Sequence, residues 1–373
     1  MEPKIKIKET IVFDGNVGWK HEGVHYKLAC APVITETPSG ELLCTWLSGA
    51  DTEPASDNCI LISRSKDCGK SWSEPEIFVA SDKDGFGGVM LQRSGDKLVK
   101  LAAKLPLDKQ YNEWNYSRSE SYDGGHTFGE TTPITLMSDE GVSASLCYRI
   151  VTSDNRVLIA GQTYTKRKTP LTASAEQMVW AKTEEEAAAM TLGEGMKPIP
   201  FGFAHYRSGC VVFETDPDIR EFKMLGRVDN RPLYLGEPTI IELKSGRLVM
   251  LIRAEWGGYL WRSDSDDGGR TWCDAYPTDI KNPSTLANLL RLPDGRIALF
   301  HNDNGGQIGK WSKRDPLSIW VSDDEMETWS IKENVGTGGA FSYPAPLVLD
   351  NSKVVFSYDL NRRQAVFVEV EFS

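Results

Sequence analysis

The sequence predicts an all-β fold, a six-bladed β-propeller, from two superimposed repeats and from how the chain ends. Hairpin turn signals flanked by apolar, β-prone runs recur six times: Ser39-Gly40, Ser94-Gly95-Asp96, Asp154-Asn155, Ser245-Gly246, Asp294-Gly295 and Asp350-Asn351. The intervals of 55, 59, 92, 49 and 55 residues between Gly40, Gly95, Asp154, Gly246, Gly295 and Asp350 suit four-stranded blades of roughly 50 residues with one long insertion. A second repeat follows the hairpins at a similar offset: Ser65-x-Asp67-x-Gly69-x-Ser71-Trp72, Ser121-x-Asp123-x-Gly125-x-Thr127-Phe128 and Ser265-x-Asp267-x-Gly269-x-Thr271-Trp272. A fourth copy, Ser322-x-Asp324-x-Met326-x-Thr328-Trp329, has methionine in place of glycine. The last unit is short of strands, and the chain begins with one to spare.

In chain order, Met1 to Asp14 alternates charged and apolar residues and reads as a strand. The blades follow at about 30–80, 85–136, 143–230, 235–280, 284–333 and 340–372, so that residues 1–373 form a single propeller domain. The strand around Ile5 to Phe13 completes the last blade and leaves no open sheet edge. The insertion, about 165–204, falls in the third blade, where Thr183 and Glu186 suit the capping box of a short helix. Each octapeptide suits a tight turn between outer strands. Its Asp carboxylate accepts backbone N–H groups, its glycine takes positive φ, and its aromatic ring buries beneath the turn. These are folding devices. Met326 predicts a turn more strained or of another type, and the third blade keeps at most a remnant near Thr215 to Phe222.

The octapeptides are the Asp boxes, or BNR repeats, of the sialidase superfamily, which the chain resembles over most of its length. The segment Glu237 to Arg253, followed by the box at Ser265, resembles the fourth blade of predicted neuraminidases, and Asn282-Pro283-Ser284 and Phe341-Ser342-Tyr343-Pro344 add further matches. The resemblance implies a sialidase-type propeller with a pocket at one end of its axis, where residues distant in sequence meet. It implies Tyr343 as nucleophile, Glu237 as the group that takes its proton, and Asp57 as acid/base, with Asp51 and Glu53 competing on the same loop. Arg253 and Arg314 match substrate-binding arginines, for a planar guanidinium grips a carboxylate through two parallel bonds. A tyrosine suits a sialoside because the carboxylate on the anomeric carbon repels an anionic nucleophile. One departure stands out. The family carries a further arginine in an Arg-Ile-Pro segment, and this chain has Cys30-Ala31-Pro32 there. Lys27 and His25 are the nearby cations. Arg149, Arg207, Trp114 and Gln162 lie on segments that also approach the axis.

Net charge is −11, with 42 Lys and Arg against 53 Asp and Glu, which disfavours nucleic acid or an anionic membrane as the main partner. The seven cysteines show neither CxxC nor Cys/His ligand spacing, so reduced thiols are expected, with no metal or other cofactor, and without an apolar leader a cytoplasmic location. The motif Gly85-x-Gly87-Gly88 lacks a following helical pattern and reads as a loop. The function expected is an exo-acting glycoside hydrolase on a glycan ending in an acidic sugar. Two readings compete on the same scaffold: a uronate-type polysaccharide lyase, with Tyr343 abstracting a proton, and a non-catalytic glycan-binding propeller.

Overall fold

The structure is a computed structural model of the 373-residue chain and describes residues 4–51, 53, 55, 57–81, 84–106, 114–134, 136–137, 143–164, 207–229, 235–254, 258–305 and 313–373. The third-blade insertion and its expected helix lie outside the described residues. Every regular element among the described residues is a strand. The chain opens with β1 (Ile5–Asp14) and a small hairpin, β2 (Trp19–His21) with β3 (Val24–Tyr26).

Blade one holds β4 (Cys30–Glu36), β5 (Leu42–Ser48), β6 (Cys59–Ser65) and β7 (Glu76–Val79). Blade two holds β8 (Asp84–Ser94), β9 (Lys97–Pro106), β10 (Asn115–Ser121) and β11 (Thr132–Ile134). After β12 (Leu136–Met137), blade three holds β13 (Ser143–Val151), β14 (Val157–Tyr164), β15 (Arg207–Thr215) and β16 (Phe222–Asp229), with β12 added parallel to β16. Blade four holds β17 (Leu235–Glu242), β18 (Leu248–Ala254), β19 (Gly258–Ser265) and β20 (Tyr276–Asn282). Blade five holds β21 (Asn288–Arg291), β22 (Ile297–His301), β23 (Leu317–Ser322) and β24 (Ile331–Gly336). Blade six holds β25 (Phe341–Val348), β26 (Val354–Leu360) and β27 (Gln364–Phe372), and β1 supplies its outer strand, paired antiparallel from Ile5 opposite Phe372 to Asp14 opposite Gln364.

The second strands are sandwiched between neighbouring blades, which is why they read as continuous apolar runs and not as alternating ones: β5 and β18 are buried along their whole length. The core is divided into clusters that each join two successive blades. Leu43 and Ile60 meet Val89 and Leu98, Val99 and Leu101 meet Ile159 and Val211, and Leu158 meets Met250. Val249 meets Leu299, Phe300 meets Phe356, and Val355 and Phe367 return to Cys44 and Leu61 of blade one. The last of these closes the ring.

The Asp boxes are the turns that their composition predicts. In the first, the Asp67 carboxylate accepts the Ser71 N–H (2.9 Å) and hydroxyl (2.6 Å), while Ser65 Oγ accepts the Gly69 N–H at 2.8 Å. The Ser71 hydroxyl and N–H hold the Asp67 carboxyl down to about 2. The fourth copy keeps this geometry despite its methionine: Met326 donates its N–H to Ser322 Oγ at 2.9 Å and takes φ 72°, next to Glu325 at φ 60°. Strained but of the same type, the turn buries the Met326 side chain between blades four and five. The third-blade remnant works alike, with the Asp216 carboxylate accepting the N–H groups of Asp218 (2.8 Å) and Arg220 (3.0 Å) around a buried Ile219 at φ 52°.

Candidate active site

Five first strands break register near the same end, between Cys30 and Val33, Phe86 and Gly88, Leu146 and Arg149, Gly236 and Thr239, and Ser342 and Ala345. A bulge of this kind leaves a residue unpaired and re-aims its side chain. Of the residues so released, Ala31, Gly87, Cys147, Tyr148, Glu237 and Tyr343 line one cavity of about 650 Å³. Ala31, Glu237 and Tyr343 have φ of 48°, 46° and 53°, and each precedes a proline, which has no N–H to leave unpaired in the interrupted ladder. Three non-glycine residues in the left-handed region at one cavity mark a place where surrounding structure over-determines the backbone. Glu237 is fixed further by its N–H, donated to Gln162 Oε1 of blade three at 3.1 Å.

The phenol of Tyr343 donates to Glu237 Oε1 at 3.4 Å, and Arg253 Nη1 donates to Glu237 Oε2 at 2.5 Å. Arg253 Nε reaches Ser284 Oγ at 3.2 Å, and its side chain is only 4% exposed. Arg314 lies over the Tyr343 ring, 5.4 Å from its centroid, and donates to Ser342 Oγ (2.9 Å) and the Ser284 carbonyl (3.4 Å). Among the described residues it has no carboxylate partner. Burial, and then the charge of Glu237, push the Tyr343 phenol well up, with Arg253 and Arg314 opposing. A second phenol, Tyr148, is pushed up by burial, hydrogen-bonds Asn288, and lies within electrostatic reach of Glu237 and Tyr343.

Blades four, five and six thus bring Tyr343, Glu237, Arg253 and Arg314 together, with Tyr343 and Glu237 in the cavity lining and the two guanidinium groups behind them, Arg253 on Glu237 and Arg314 over the Tyr343 ring. Asp57 stands apart from the cavity lining, its Oδ2 turned back to accept the Ala50 N–H at 2.9 Å. From the same loop Glu53 lines the cavity, while Asp51 is exposed and pairs with Arg363 at 3.2 Å. Arg149, Trp114 and Gln162 also line it; the Arg207 side chain lies outside the described residues. Lys27 and His25 do not line it, and His25 Nε2 hydrogen-bonds the Val17 carbonyl at 3.1 Å. Sequence reasoning passed over Tyr148 and Arg362. The signal for Arg362 was Asn361-Arg362 at a hairpin turn whose second residue is ordinarily glycine.

The family model for the BNR repeat-like domain matches residues 40–355. No curated protein matches the chain in sequence. Among solved structures, a protein of unknown function from Dyadobacter fermentans DSM 18053 is similar, with a TM-score of 0.69 at 15% identity over 100% of both chains. The Hadza microbial sialidase Hz136 gives 0.69 at 16% identity, over 98% of this chain and 68% of that one. The Trypanosoma rangeli sialidase bound to the inhibitor DANA gives 0.66 at 15% identity, over 97% of this chain and 59% of that one. At these identities the likeness is one of fold.

Proposed function

Because the chain belongs to the BNR repeat-like family and to the sialidase superfamily whose propeller it shares, we propose that its axial cavity is the site of a retaining exo-glycosidase acting on a terminal acidic sugar. The observation that carries this reading is a phenol held against a carboxylate beneath an arginine that has no acidic partner among the described residues. A cation left without a counterion beside a buried phenol favours an anionic ligand over a neutral one.

In this reading Tyr343 Oη attacks the anomeric carbon while Glu237 takes the phenolic proton. An acid from the 51–57 loop protonates the leaving oxygen. Water then cleaves the glycosyl-tyrosine, its proton going to that loop, and Glu237 returns the proton to Tyr343. Glu53 suits the acid/base role better than Asp57, since Glu53 already lines the cavity while Asp57 is turned back to the Ala50 N–H. Arg253 keeps Glu237 oriented, and Arg314 is free to take the carboxylate of the sugar.

The test is a screen of aryl glycosides, a sialoside and uronides among them, against the wild type and Tyr343→Phe. Turnover of an acidic glycoside is expected, with kcat lowered by ~10²-fold or more in the variant. A variant as active as its parent on every hydrolysed substrate removes the assignment. Unsaturated products absorbing in the ultraviolet identify a lyase instead, and binding without turnover a non-catalytic propeller.

A further inference from the structure

Arg362 lies in the turn between β26 and β27, in none of the segments that the resemblance marks. Asn361 and Arg362 both have φ 56°, a conformation that costs a non-glycine residue about 1–2 kcal/mol. Four backbone bonds hold the turn in place. Asn361 donates its N–H to Ala340 O (2.8 Å) and Arg363 to Leu360 O (3.0 Å), while Ala29 donates to Arg362 O (3.1 Å) and Gly15 to Arg363 O (2.6 Å). This scaffold aims the guanidinium across to blade one, where Nη2 contacts Glu53 Oε1 at 2.5 Å and Cys30 Sγ at 3.6 Å. Both of those residues line the cavity with Tyr343.

An ion pair is not needed to fix a turn already tied by its backbone. The Arg362 side chain is 38% exposed, and Nε and Nη1 donate to nothing among the described residues, so most of the fork is unused. Arg314 and Arg362 both lie within electrostatic reach of Cys30, which lines the cavity, and of Asp359 behind it.

We propose that Arg362 is a specificity residue that receives the substrate's carboxylate together with Arg314, and that Glu53 holds its place in the unliganded protein. This rests on the acidic-sugar reading above. An incoming carboxylate exchanges with Glu53 for one charge-assisted bond and gains the idle donors.

Binding of DANA and of phenyl glucuronide, each against its uncharged methyl ester, tests this by calorimetry on the wild type, Arg362→Met, Arg362→Lys and Glu53→Gln, with circular dichroism and melting as the check of folding. The wild type is expected to prefer at least one acid over its ester. Arg362→Met loses roughly 10- to 100-fold in affinity for that acid and little for the ester, Arg362→Lys recovers part of the loss, and Glu53→Gln tightens the acid. If folded Arg362→Met and Arg362→Lys keep the wild-type preference, the inference falls and the acidic-sugar reading stands. If the wild type binds neither acid more tightly than its ester, both fall.

Discussion

Asp359 sits beneath the bulge of blade one, fully buried, its Oδ2 accepting the Ala31 N–H at 3.2 Å while Oδ1 has no partner among the described residues. Burial raises its carboxyl to about 7, against the pull of the Ala31 N–H and of Arg314 and Arg362. The unfolded group titrates near 4, so between about 4 and 7 the folded chain holds a proton that the unfolded chain has lost. Its contribution is complete below about 4 and is lost as pH rises through 7, on the order of a few kcal/mol at 1.4 kcal/mol per unit. Buried His301, lowered by burial to about 3, has the opposite sign, its contribution being lost as pH falls from about 6.5 towards 3. Asp359→Asn keeps an acceptor for the Ala31 N–H and removes one of the two opposing slopes. Denaturant midpoints measured from pH 4 to 8 are expected to show less loss towards high pH in the variant; curves of the same shape for both proteins would refute this. None of it was legible in the sequence, where Asp359 is one carboxylate among many, because the burial that shifts it comes from blade one, more than three hundred positions away.

Among the elements, the Asp boxes were the most legible, because each is a local device whose bonds span four residues. They also yield a paired prediction. Cys68 and Met326 both take left-handed φ, 60° and 72°, but Cys68 is exposed and Met326 is buried. Cys68→Gly relieves about 1–2 kcal/mol of backbone cost against ~0.5–1 kcal/mol of glycine entropy, so slight stabilisation is expected. Met326→Gly gains the same relief but gives up a buried side chain worth ~1.5–3 kcal/mol, so net loss is expected. Chemical denaturation of the two variants checks the signs, and a shared sign would show that burial does not decide between them. The bulges were half legible. The prolines after Glu237 and Tyr343 stand where the ladders break, a sign that the reading of the sequence left unused, and which loop carboxylate faces the cavity depends on how blade one folds back on itself. That is why Asp57 was singled out while Glu53 does the lining.

At the scale of the molecule, the six-blade count was read from the spacing of the turn signals, and the use of β1 from the alternating pattern of Met1 to Asp14 and the strand missing from the last unit, since a repeat too small to bury its own faces must stack and close. Ile5, Val12 and Phe13 of β1 are all buried, in the clusters on either side of blade six. Removing residues 1–14 uncovers the β27 edge and forfeits burial worth ~1.5–3 kcal/mol for each of these side chains. A lower melting temperature and aggregation that grows with concentration are expected, as read by calorimetry and light scattering. A truncated chain that melts like its parent and stays monodisperse would mean that β1 is dispensable to closure.

The bulges have one more consequence. Glu237 and Tyr343 occupy two copies of a single backbone mould, and the copy in blade one, at Ala31, ends in a bare methyl facing the same chamber. Since the mould already tolerates a carboxylate and a phenol, position 31 is a vacant socket through which new chemistry can be grafted onto the pocket while the surrounding sheets stay as they are.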